Sequence, residues 1–332
     1  AGTDGRLSLG VLLIDANGKG TRTYNATTGE NLLAKYDQVE VTIKALDAKA
    51  GKTEEVAYSY TLPADGLVYI RQLLVNDPEI PDQTALIQSL ATDIELLEQG
   101  VSGMQKAFAN SDQTNAKTNA ESVINLIVGK QSSDHRDWTG NGQTSDPGTG
   151  FGLLHNGSNL GDVQAVFAHA DYVANSAGAS QNMIDRSAEV KACAQNLAQW
   201  IPQLKEQAQR IVTAASLKEM DIPIQESVKL VNKIRNGIDL NKNGEVEPLA
   251  GECGFSTTYI SAYAMADMPL LPVNLLGSAT PEGTPPAVVT FISPTSTPKR
   301  NTGGSGGATA VPPPANNGNG GGNGNGGGHH KP

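Results

Sequence analysis

Long apolar runs are missing from this 332-residue chain. Nowhere does it approach the roughly 18 consecutive apolar residues of a membrane-spanning helix. Aromatic residues are scarce at 5%, which argues against the stacking platforms that hold single-stranded nucleic acid. Positive charge is in the minority. The 24 Lys and Arg face 34 Asp and Glu, a net charge of −10, so neither nucleic acid nor an anionic lipid surface is an expected partner. Catalytic signatures are lacking as well: the chain has no G-x-S-x-G elbow and no Walker loop. Gly148, Gly150 and Gly152 follow no strand pattern and make no dinucleotide fingerprint. His135, His155 and His169 lack the spacing of a zinc site and read as surface or packing residues. No enzyme is expected.

Cysteine is nearly absent too. The two present, Cys193 and Cys253, predict one disulfide in an exported protein. A start at Ala1-Gly2-Thr3 is what cleavage after a small-residue site leaves, so the expected location is extracellular, at the cell surface. Asn25-Ala26-Thr27 and Asn156-Gly157-Ser158 are sequons, making Asn25 and Asn156 candidate glycosylation sites.

What the chain does have is a pair of acidic loops about a hundred residues apart. One runs Asp137-Trp138-Thr139-Gly140-Asn141-Gly142-Gln143, the other Asp239-Leu240-Asn241-Lys242-Asn243-Gly244-Glu245-Val246-Glu247. Each puts an oxygen-bearing side chain at positions 1, 3 and 5 and glycine at 6, as a calcium loop requires. The expected ligands of the first loop are Asp137, Thr139, Asn141, the Gln143 carbonyl and Asp146. Those of the second are Asp239, Asn241, Asn243, the Glu245 carbonyl, Glu247 and Glu252. Position 12 of the second loop is Ala250 where a bidentate Glu is usual, so Glu247 or Glu252 must substitute. Thr139 is the weaker ligand, so the first loop is expected to bind less tightly. The few charges place both in the extracellular affinity range of roughly 10⁻⁴–10⁻³ M.

Patterning gives the organisation, and the fold class expected is α+β. Residues 1–78 read as a small β-sandwich-like domain. Its strands are drawn from the alternations Leu7-Leu9-Val11-Leu13, Val39-Val41-Ile43 and Val56-Tyr58-Tyr60 and from the run Leu67–Ile70, with a turn at Asp15–Gly18. Residues 79–278 read as a helical bundle. Leu86, Leu90, Ile94, Leu97, Val101, Met104 and Phe108 make one stripe, with Asp82 as the expected N-cap. Further helices are predicted near 119–128, 160–174, 181–215 (kinked at Pro202), from Ile224 to Ile234, and around Tyr259–Ala264. Val123–Ile127 precedes the first loop as Leu230–Ile234 precedes the second, suggesting two helix–loop–helix units made by duplication. Residues 279–332 form a Pro/Thr-rich and then Gly/Asn-rich tail. Glycine supplies 12 of its last 34 residues, too little apolar surface to offset ordering entropy.

The stretches Leu13–Gly18, Tyr36–Ile43 and Val56–Pro63 resemble the extracellular β domain of anti-sigma-K-type proteins, with Lys44-Ala45 where that family has Glu-Pro. Tyr69–Leu74, Val123–Ile127, Asp146–Leu154, Asp239–Pro248 and Gly251-Glu252 are similar to a family of exported Chloroflexi-type bacterial proteins with EF-hand- or dockerin-like loops. That family usually has Asp where Thr139 stands. The resemblance implies an extracellular location and calcium as the bound ion, and implies no reaction. The function expected is therefore a calcium-stabilised structural or adhesive surface protein. It would be a subunit of a filament or surface layer assembled by strand addition through Val288–Ile292, with copies of itself or other surface proteins as partners. The alternative is an extracellular small-ligand-binding or sensor module.

Overall fold

The computed structural model describes residues 5–43, 55–273 and the strand Ala287–Val289. The remainder of the expected tail, with Thr290–Ile292, and the Lys44-Ala45 departure lie outside the described residues. The chain is a mixed, helix-dominated α+β protein. Among the described residues are seven α-helices: α1 (Ala64–Leu74), α2 (Leu86–Ala109), α3 (Gln113–Val128), α4 (Asp162–Ala174), α5 (Gln181–Thr213), α6 (Leu217–Asn236) and α7 (Phe255–Ala264). A small antiparallel sheet is ordered β1 (Gln38–Ile43), β2 (Glu55–Thr61), β3 (Met268–Pro272), β4 (Ala287–Val289). Its first two strands precede α1 and its last two follow α7.

The apolar stripes do what their period dictates. Leu86, Leu90, Ile94, Leu97, Val101 and Met104 of α2 are all buried, as are Cys193, Leu197, Trp200, Leu204, Ala208 and Ile211 of α5. At 33 residues α5 is the longest element, and α3, α4, α6 and α7 all pack against it. It is a continuous helix through Pro202, and Ser180 caps it by accepting the Met183 N–H. One core cluster runs from Leu33 and Leu62 through all the helices to Met268. Cys193 of α5 and Cys253, just before α7, form a disulfide.

Three expectations at the start of the chain change. Leu67–Ile70 is part of helix α1 and not a strand. Leu67, Ile70 and Leu74 fall on one buried helical face, a period that a four-residue apolar run does not reveal. The alternation from Leu7 to Leu13 yields no strand. The Asp15–Gly18 turn does form, with Asp15 Oδ1 accepting the Asn17 and Lys19 amides, but Val11 and Leu13 stay 75% and 79% exposed. Asp82 is not a cap: it sits in a 3-10 turn at φ 63°, and α2 starts from Ala85 with no side-chain cap. Among the described residues the named strands form one sheet, two from before α1 and two from after α7.

The disulfide spans 60 residues of sequence, and closing a loop of that length stabilises a fold by roughly 4 kcal/mol. Cys193→Ser with Cys253→Ser is expected to lower unfolding free energy by about 2–4 kcal/mol in urea titrations. The parent chain under strong reductant should move to the same midpoint.

Candidate functional site

The two loops share three hydrogen bonds at matching positions. In the first, Asp137 accepts the amides of Gly142 (2.7 Å) and Asn141 (3.3 Å), and Asn141 Oδ1 accepts that of Gln143 (2.8 Å). In the second, Asp239 accepts the amides of Gly244 (2.8 Å) and Asn243 (3.2 Å), and Asn243 Oδ1 accepts that of Glu245 (2.9 Å). Position 6 is left-handed in both, Gly142 at φ 85° and Gly244 at φ 93°, which is why glycine occupies it. Position 4 is left-handed too, and here the loops differ in residue: Gly140 at φ 73°, Lys242 at φ 60°. Asp137 also accepts the Gly140 amide and the Thr139 hydroxyl. Desolvation acts to raise its pKa, but the amides of Gly142 and Gly140 outweigh that and hold it below the usual carboxylate range.

Past position 7 the loops part. In the second, Asn241 and Asn243 both donate to Glu247 Oε2, at 2.7 and 3.2 Å, and Glu252 Oε1 accepts the Glu247 amide at 3.4 Å. Positions 1, 3, 5 and 9 are thereby drawn into one ring with Glu252 beside it. In the first loop position 9 is Ser145, and the carboxylate expected to follow, Asp146, engages His135 Nε2 (3.0 Å) and the Gly148 amide (3.0 Å) instead. The ring of the first loop therefore lacks a carboxylate opposite Asp137. Glu245 and Gln143 enter through their backbone amides. Among the described residues no three His, Cys, Asp or Glu side chains group as a metal site. The second loop offers a mixed set of carboxylates and amide oxygens, hard donors of the kind calcium takes; the first offers fewer.

What holds the loops is less visible in sequence. Glu121 and Asn125, one turn apart on α3, are both fully buried. Glu121 accepts the amides of Trp138, Thr139 and Ser145. Asn125 donates to the carbonyls of Arg136 and Ser145 and accepts the Arg136 amide. Asn196 of α5 does the same for the exit of the second loop, donating to the Leu249 and Cys253 carbonyls and accepting the Gly251 amide. Cys193, three residues earlier, bonds the same exit. The repeat of Val123–Ile127 as Leu230–Ile234 puts Asn232 at the place of Asn125, but Asn232 is exposed and the second loop is held by α5. A polar residue amid an apolar stripe was the available signal for Glu121, Asn125 and Asn196.

Of the sequons, Asn25 is exposed. Asn156 is only 5% exposed, and its Nδ2 donates to the Phe151 and Leu154 carbonyls. That nitrogen is the atom a glycan would need, so the folded chain withholds it. His169, in contrast to a surface histidine, lies 3.3 Å from the buried Asp77 carboxylate and also contacts the Ala165 carbonyl at 2.9 Å. No protein-family model, curated protein or solved structure matches the chain.

Asn125→Ala strands three backbone groups that its buried side chain pairs and is expected to cost about 1–3 kcal/mol, with faster hydrogen exchange at the Arg136 amide. Lys242→Gly relieves a left-handed side chain and should gain roughly 1 kcal/mol. Both are read from denaturant midpoints.

Proposed function

We propose that this chain is a calcium-stabilised, non-catalytic structural protein of the cell exterior that works by assembling with copies of itself or with other surface proteins. The observation that carries the reading is the ring in the second loop, where Asn241 and Asn243 close onto Glu247 opposite Asp239. A calcium ion there would replace amide–carboxylate hydrogen bonds with oxygen ligation from the same side chains. The disulfide supports an oxidising compartment. The assembly part draws on β4, which pairs with β3 after fourteen intervening residues, 273–286. Antiparallel neighbours need only a few residues between them, so a connection of that length leaves the corresponding segment of a second copy free to make the same pairing.

The ligand-binding alternative has one observation in its favour. A cleft of about 300 Å³ is lined by Asp77, Glu79, Phe151, Asn159 and His169.

Calcium decides the first part. With about 10 mM calcium against a dissociation constant near 10⁻⁴ M, the fold gains about 2.7 kcal/mol, a rise of roughly 5–10 °C in melting temperature over chelator. Asp239→Asn with Glu247→Gln should remove most of that rise; an unchanged melting curve with and without calcium would refute it. Removing residues 279–332 should leave a folded monomer that no longer forms filaments or sheets in electron micrographs, and assembly by the shortened chain would rule out strand exchange.

A further inference from the structure

The alternation from Leu7 to Leu13, which joins no sheet, belongs to a two-legged arm. Leu7–Ile14 and the return stretch 19–24 run side by side across the Asp15–Gly18 turn. Arg22 Nε donates to the Leu9 carbonyl at 3.1 Å, and the Asp15 amide donates to the Lys19 carbonyl at 2.7 Å. Among the described residues no backbone–backbone hydrogen bond reaches Leu7–Ile14. Leu9 and Ile14 are 36% and 57% exposed, and Val11 and Leu13 more so. The arm meets the body at its root, where Arg6 lies 3.2 Å from Glu40 of β1. Further along, Asn31 Nδ2 donates to the Leu74 carbonyl and fastens the chain to α1.

An open row of amides and carbonyls beside exposed apolar side chains is a template for pairing with another chain. Charge selects the partner. The arm carries Arg6, Lys19 and Arg22 against Asp15, in a chain whose net charge is −10. It is therefore repelled by a second arm and drawn to the acidic body of a second copy. On that body β1 ends the sheet order and runs for six residues, whereas β4 at the other end runs for three. Strands β1 and β2 carry Glu40 and Glu55 and neither Lys nor Arg. The Arg6–Glu40 pair shows that this edge accommodates an arginine of the arm.

We propose that the arm docks as an added strand along Gln38–Val41 at the edge of β1 in a neighbouring copy. Leu7–Ile14 supply the backbone pairing, Val11 and Leu13 the apolar contact, and Arg22 meets Glu40. This contact rests on the self-assembly proposed above and adds to it. Donor and acceptor are different segments, so each copy gives one arm and takes one, the head-to-tail arrangement that builds an open row of subunits. A strand this short binds weakly by itself. A neighbour already joined through β4 presents it at high effective concentration, so the two contacts reinforce each other.

The test is the concentration at which the full-length chain forms sedimentable polymer in calcium. Val11→Asp with Leu13→Asp changes exposed residues and is expected to leave the melting temperature near the parent's. It should raise the concentration needed for assembly roughly tenfold or more. Glu40→Lys, on the acceptor, should do the same. Both remove one contact, so the three changes together should cost little more than either alone. Assembly of the double Asp variant at the parental concentration would overturn the proposal, as would arm and Glu40 effects that simply add. A parent that stays monomeric would refute assembly itself and this contact with it. Assembly by the chain lacking residues 279–332 would remove strand exchange through β4 instead. The arm contact then requires that the same two Asp substitutions abolish that remaining assembly, and it falls if they do not.

Discussion

The constraint on which most of this structure depends is that two irregular segments, 129–161 and 237–254, pack against a helical core without regular backbone pairing. Buried amides and carbonyls left unpaired each cost as much as a lost hydrogen bond. The chain meets that cost with side chains from neighbouring elements. Glu121 takes three amides, Asn125 pairs both ends of the first loop, Asn196 pairs the exit of the second, and Asn156 donates inside the first segment. Each is fully or nearly fully buried, so each bond is made in a low dielectric where partial satisfaction would be worse than none. Placing Asn and Glu in the core is thus the condition for placing loops there.

The same arrangement explains why the loops are alike and their surroundings are not. Positions 1 to 7 repeat because a carboxylate at position 1 can gather the amides at 5 and 6 only if 4 and 6 turn left-handed. Beyond position 7 the chain answers to its helices. The first loop hangs from α3, the helix before it. The second hangs from α5, two elements earlier than its exit, by a hydrogen-bonding Asn and a disulfide three residues apart. What repeats is the loop, and its anchorage is specific to each half.

That distinction also marks what the sequence made legible. Spacing of 1, 3, 5 and 6 is local, and it located both loops and both glycine turns. Stripes such as Leu86–Met104 are local in the same sense and gave α2 and α5 closely. Long-range partners were not legible. A lone Asn in an apolar run reads equally as a repeat or a defect until the Arg136 backbone is seen beside it. Asp93 and Asp162 are ordinary helical acids until the fold buries them together. Alternation from Leu7 to Leu13 failed for the converse reason: a strand pattern needs a partner edge, and among the described residues none pairs with it. Leu67–Ile70 was too short for period to choose between strand and helix, and burial of Ile70, Leu73 and Leu74 against the bundle chose.

Rigidity is therefore unevenly distributed, in a way that bears on assembly. The loop end of the molecule is held by buried polar bonds, the disulfide and the length of α5. The sheet end is joined by little: β3 meets β2 at Tyr58–Pro272 and Ser59–Leu271, and β4 is three residues long. Local stability follows the density of such contacts, so the three-residue pairing of β4 with β3 opens at lower cost than the anchorage of the loops. In the assembly we propose, a strand is exchanged at this end while the two acidic loops and the core stay closed. In that proposed assembly the residues that would join copies are not the ones that hold each copy together, so one set can be altered without the other.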